Sequence, residues 1–158
     1  MLESIEQVGV LTWVRESNSV WAFASVLMFH TLGFSVLAGI SVMLSLRLLG
    51  FGKGIPIAPL ERLFPLATAG LVTAALTGVT LALVEATTRL VSPVLYVKLV
   101  LLVFALLTMR TMRNEIFRNP LVDRQPLPPN AKRLAIVSLL LWLSIVTAGR
   151  LIGYTLGA

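Results

Sequence analysis

Four stretches of this chain are too long and too apolar to be surface helices of a water-soluble domain. No formal charge lies between Glu16 and Arg47, and none between Arg62 and Glu85. A helix needs about 20 apolar residues to cross ~30 Å of hydrocarbon at ~1.5 Å per residue. Spans are accordingly expected at about residues 20–46 and 66–86, with a third at 93–112 that contains Lys98 and a fourth at 133–156 that contains Arg150. Composition agrees. Of 158 residues, 57% are apolar and 13% charged, where a soluble domain carries about 25% charged residues. The expected fold is all-α, an antiparallel four-transmembrane-helix bundle in one membrane domain covering residues 1–158.

The absence of cysteine removes disulfides, iron–sulfur clusters, thioether-linked haem and cysteine nucleophiles. One histidine, His30, removes a multi-histidine metal cage built from a single chain. A net charge of +6 is compatible with nucleic acid, but membrane topology explains it better, and no nucleic-acid partner is expected. The first loop, 47–65, holds Arg47, Lys53 and Arg62 against Glu61. The second, 113–132, is flanked by Arg110 and Arg133 and holds Arg113, Arg118, Arg124 and Lys132 against Glu115 and Asp123. The positive-inside rule puts both loops in the cytoplasm and both termini outside. The N-terminal segment, 1–19, begins with acids rather than a basic region, so it does not read as a signal peptide. It reads instead as an interfacial helix with Trp13 and Trp21 as anchors. Pro120, Pro126, Pro128 and Pro129 prevent the second loop from being helical throughout.

Between helices in lipid there is little hydrophobic drive, so small residues and polar contacts must hold the bundle together. Gly70, Ala74, Gly78 and Ala82 recur at every fourth position of span two, with Thr73, Thr77 and Thr80 nearby. Span one offers Gly33, Ala38 and Gly39, and span four Ser138, Ser144, Ala148 and Gly149. Packing alone accounts for most of them. Part of the stripe also suits a homodimer or a partner membrane subunit.

Ionisable groups inside a span cost about 2.5–3.5 kcal/mol each and face a site or snorkel to the interface. His30, Glu85, Arg89, Lys98 and Arg150 all fall in the outer half of the membrane on this topology. Lys98 and Arg150 lie near enough to the interface to snorkel, and Glu85 can pair with Arg89 at (i, i+4). His30 is about 15 Å from the outer end of its helix, too deep to snorkel. Its bland reading is a core histidine bonded to a neighbouring hydroxyl. Its functional reading is an axial ligand to haem b, or a copper ligand. Gly33, one turn on, would let a flat macrocycle approach, and Arg89, Lys98 and Arg150 would pair with propionates. With no second histidine, such a haem is five-coordinate, takes Met28 or Met43, or is shared between protomers. Copper has weaker support, because Met28 and His30 diverge on a helix and there is no methionine-rich tract.

The run from Trp21–Ala22–Phe23 through Phe29–His30–Thr31–Leu32–Gly33 and Ala38–Gly39 to Leu46–Arg47–Leu48–Leu49–Gly50 resembles the first helix of an uncharacterised bacterial family of four-helix integral membrane proteins. Thr77–Gly78, Pro93 with Lys98, and Leu141–Trp142 to Ala148–Gly149–Arg150–Leu151–Ile152 match its later landmarks, so the likeness covers nearly the whole chain. That family looks related to the copper-resistance protein D (CopD-like) membrane domain. More distantly it resembles the small haem-binding bacterial protoporphyrinogen oxidase. The resemblance implies haem or copper handling, carried onto His30, Lys98 and Arg150. Two departures stand out. The third span ends Thr108–Met109–Arg110–Thr111–Met112 where the family often has Asn and His, and Leu46 replaces the acid before Arg47. Three functions follow: a small b-type haem redox protein, a copper-handling permease, or a non-catalytic scaffold subunit of a membrane complex. No nucleophile–base pair, phosphate loop or dinucleotide fingerprint marks an enzyme acting alone.

Overall fold

The computed structural model describes residues 20–84 and 86–156, which form helices joined by turns and irregular loops. The expected interfacial segment 1–19 and Glu85 lie outside the described residues. Helix α1 runs Val20–Leu49, α2 Leu63–Val84, α3 Pro93–Met112 and α4 Ala131–Leu156. A 3₁₀ turn, Ala58–Arg62, leads into α2, and one helical turn, Ala86–Arg89, joins α2 towards α3. All four long helices are long and apolar enough to cross a membrane. Their bounds depart from the sequence expectation chiefly at the charged ends. Helix α1 continues past Arg47, because hydrogen bonding does not stop where hydrocarbon does.

Helix α1 is the shared element. It packs on α2 along one side and on α4 along another, while α3 packs on α4. The α1–α2 contact is a backbone contact. A methyl group on Gly33 would lie 2.8 Å from the Gly70 carbonyl oxygen and 2.9 Å from the Ala74 nitrogen, and one on Gly70 would lie 2.7 Å from the Gly33 oxygen. Any side chain at either position must therefore push the helices apart. This is the close approach that small residues permit in lipid. The side of Gly33 on which a Cβ would stand is therefore filled by the α2 backbone.

The apolar core is thickest at the end that carries the basic loops. Leu44 and Leu48 of α1, Phe64 and Ala67 of α2, Met112 of α3 and Ala131 and Ala135 of α4 are buried there. Helix α3 ends in a π turn, Arg113–Phe117, in which the Arg118 N–H donates to the Arg113 carbonyl at 2.9 Å. The wider turn lets two successive residues, Ile116 and Phe117, both be buried. Phe117 meets Phe64 edge-on at 5.4 Å, and the Arg113 guanidinium lies 5.3 Å from the Phe64 ring centroid. Arg113 also pairs with Glu61 at 3.6 Å.

The two loops are bolted together by Asp123. Its carboxylate accepts the Ile57 N–H at 2.6 Å and the Ala58 N–H at 3.0 Å, where the 3₁₀ turn leaves those donors without helical partners. Both basic loops therefore lie at one end of the bundle, as an even number of crossings between them requires. The Ile57 and Ala58 N–H groups outweigh an opposing desolvation and, with a lesser contribution from the charge of Arg47, hold the Asp123 carboxyl below its usual 3.8. A carboxyl depressed by folding stabilises fully above its unfolded pKa, and that stabilisation is lost as pH falls through the folded value. The Ile57 and Ala58 amide proton shifts are thus expected to titrate together with a midpoint below 3.8. In Asp123→Ala both shifts should move to their acid-limit values at neutral pH, read by amide NMR in micelles.

Candidate functional site

His30 sits on the α2-facing side of α1, one turn before Phe34. Its Nδ1 lies 2.9 Å from the Ala74 carbonyl oxygen and 3.3 Å from the Thr77 hydroxyl. The carbonyl can only accept, and Thr77 gives its own proton to the Thr73 carbonyl at 2.6 Å. Nδ1 must therefore carry the hydrogen and donate it. In the neutral ring this leaves the lone pair on Nε2. Gly78 makes the space: a methyl group there would lie 2.9 Å from the imidazole Cε1 and 3.3 Å from Nδ1. The small-residue stripe thus does two jobs. Gly70 and Ala74 take the α1 backbone, and Gly78 takes the imidazole.

Lys98 points into the bundle instead of out towards lipid. Its Nζ lies 5.4 Å from the centroid of the Phe34 ring, the geometry of a cation–π contact. Gly149 of α4 is the other wall, since a methyl group there would lie 3.4 Å from Nζ. Trp142 meets the same Phe34 ring edge-on at 5.6 Å. Phe34 therefore links the two expected polar groups: His30 is one turn along α1, and Lys98 rests on its ring. The buried Trp142 Nε1–H and, one turn earlier on α4, the Ser138 hydroxyl have no protein hydrogen-bond partner. Such orphaned buried donors are uncommon in native interiors.

Of the other expected site residues that are described, Gly33 and Arg150 do not join this cluster. Gly33 is spent on the α2 backbone. Arg150 is exposed on α4, next to Gly149 but on a different face. Arg89 ends the short helical turn, and its side chain, like Glu85, lies outside the described residues. Met28 and Met43 are exposed, at 50% and 41%. The buried methionines are Met109 and Met112, and the Met109 thioether accepts the Ser41 hydroxyl at 3.2 Å. Among the described residues no group of three or more histidine, cysteine or acidic side chains is placed to hold a metal ion.

Phe34, Ala74 and Trp142 were not singled out as site residues by sequence reasoning. The spacing carried part of the signal, since Phe34 is one turn from His30 and Ala74 one turn from Gly78. Which of α1's neighbours His30 would meet is a tertiary fact. No family model, no curated protein and no solved structure matches this chain.

Because His30 is the only histidine, its ring nitrogens can be read without assignment. Selective ¹⁵N-histidine labelling is expected to show the neutral Nδ1–H form. Gly78→Val should displace the ring and shift both nitrogen resonances. A protonated Nε2 in the neutral parent protein would contradict the bond to Ala74.

Proposed function

We propose that this chain is a multi-pass protein of the bacterial inner membrane that binds b-type haem at His30 for redox or electron transfer. One observation carries the reading. The Nδ1–H of His30 is committed to a backbone carbonyl, which fixes the tautomer in which Nε2 is the nitrogen of the type that ligates iron. The donor set fits such a group: a neutral imidazole for the iron, the Lys98 ammonium for a propionate, and the unpartnered Trp142 N–H as a further donor. Bound haem would supply a one-electron couple. The protein's part is to hold the His30 ring in one tautomer, to exclude water with α1 and α2, and to offset propionate charge with Lys98.

A second reading is favoured by the Gly33–Gly70 contact. Here His30 is an interhelical clasp, and the chain is a scaffold subunit whose partner does the chemistry. Copper handling, the other function implied by resemblance, gains no donor beyond His30 among the described residues.

Two variants separate these readings. His30→Asn keeps an N–H near the Nδ1 position but is no haem ligand, and His30→Ala keeps neither. Full-length protein made with ample haem supply and purified in detergent is expected to show a Soret band that both variants lose. His30→Ala is also expected to lose about 1–3 kcal/mol of stability from the unsatisfied Ala74 carbonyl and lost contact, with His30→Asn retaining most of it. A colourless but stable parent protein would leave the scaffold reading.

The sidedness proposed from the basic loops has its own test, since the chain has no native cysteine. Lys53→Cys and Gln125→Cys should react with an impermeant maleimide only after cells are permeabilised, and Val91→Cys should react in intact cells. The reverse pattern would invert the topology.

A further inference from the structure

We propose that the groove along the basic end of α1 is a binding site for one anionic phospholipid. The groove has a volume of about 320 Å³. Its floor is Gly39, where an added methyl group would meet nothing within 4 Å. Its wall is Val42, Met43 and Leu46, which share one face of α1 with Gly39 at helical spacing. Its mouth is Arg47, in the last turn of α1.

Position along the helix selects the occupant. From Gly39 to Arg47 is about 12 Å at ~1.5 Å per residue, so the groove runs from acyl-chain depth to headgroup level. The lining is apolar over that length and ends in a guanidinium. Arg47 is held in place: its Nε donates to the Ile55 carbonyl at 2.6 Å, and a terminal nitrogen reaches the Lys53 carbonyl at 3.5 Å. The turn that supplies those carbonyls depends on Gly50 and Gly52, whose φ values of 102° and 64° disfavour side chains. The remaining guanidinium N–H groups suit a phosphate. Phe51 and Ile55 beside it are 66% and 53% exposed, apolar surface at the level where headgroups begin.

Competing acids are occupied. Asp123, whose carboxylate feels the charge of Arg47, gives both oxygens to the Ile57 and Ala58 N–H groups. Glu61 pairs with Arg113, and Glu115 accepts the Asn130 amide at 2.6 Å. Exposed Lys53 adds a second cation to the same loop. A partner helix of apolar residues in the groove would bring no counter-charge to the guanidinium, and a zwitterionic lipid would bring a second cation near it. An anionic lipid satisfies both ends, as basic pockets beside membrane helices do for acidic headgroups. The larger groove between α3 and α4, about 620 Å³, has no such selector. Its Ser144 and Thr147 hydroxyls are bonded to the Leu140 and Leu143 carbonyls, and no charge lines it. The lipid site is independent of His30 and its ligand.

The test is lipid binding to delipidated, detergent-purified full chain, followed by native mass spectrometry with phosphatidylglycerol, phosphatidylcholine and inorganic phosphate. The parent protein is expected to retain phosphatidylglycerol in preference to phosphatidylcholine, and inorganic phosphate should not displace it. Arg47→Gln keeps an N–H for the Ile55 carbonyl and removes the charge. It should weaken phosphatidylglycerol binding roughly fivefold, the factor expected for one cation at an anionic surface. Gly39→Leu fills the groove from an open position. It should abolish the preference while leaving the unfolding temperature in lipid-free detergent unchanged. Equal binding of the two lipids by the parent, or parent-like phosphatidylglycerol binding by Gly39→Leu, would overturn the proposal. Gly39→Leu decides the matter even where Arg47→Gln fails to fold.

Discussion

The approach of the Gly33 backbone to the Gly70 backbone sets the geometry of this protein's α1–α2 side. In lipid, two apolar helices gain little by leaving acyl chains for each other, so their pairing rests on how close the backbones can come. Here the limit is reached at two glycines, each without room for even a methyl group. With that contact made, the helical repeat delivers Ala74 and Gly78 to His30. The Ala74 carbonyl takes the Nδ1 proton, and Gly78 leaves room for the ring. A bulkier residue at 33 or 70 would act on the histidine without touching it.

The two ends of the bundle are built on different principles. At the basic end, a continuous apolar core runs from Leu44 and Leu48 through Phe64 to Phe117, and the loops are joined by directed polar contacts. Asp123 satisfies donors that a helix start always leaves over, which is why one acid amid many cations is placed there. At the other end the described contacts are chemically mixed. Phe34 carries an ammonium on its face and an indole at its edge, with a partly buried imidazole one turn away.

Hydropathy and charge made the spans and the shared end of the basic loops legible. Pro93 marks the start of α3 because proline fits the first turn of a helix, and the prolines after Asn119 account for the irregular second loop. The contact that Gly33 makes was not legible for a physical reason. Spacing shows that a glycine leaves a helix face open, but not whether a macrocycle or a neighbouring backbone fills it. Arg150 and Lys98 show the same limit. Both are cations near one end of their helices, yet Lys98 turns inward over Phe34 and Arg150 is exposed. The π turn that buries both Ile116 and Phe117 had no local signature, because it is a response to packing against Phe64.

What the sequence by itself determined was which segments are helical and apolar enough to cross a membrane. Those properties are sums over consecutive residues, and they need no knowledge of neighbours in space. The tertiary structure alone decided which small residues touch, which way His30 donates its proton, and that Lys98 shares a ring with Trp142. Each of those depends on the rotation and depth of one helix against another, and a periodic pattern fixes only the face that a helix offers.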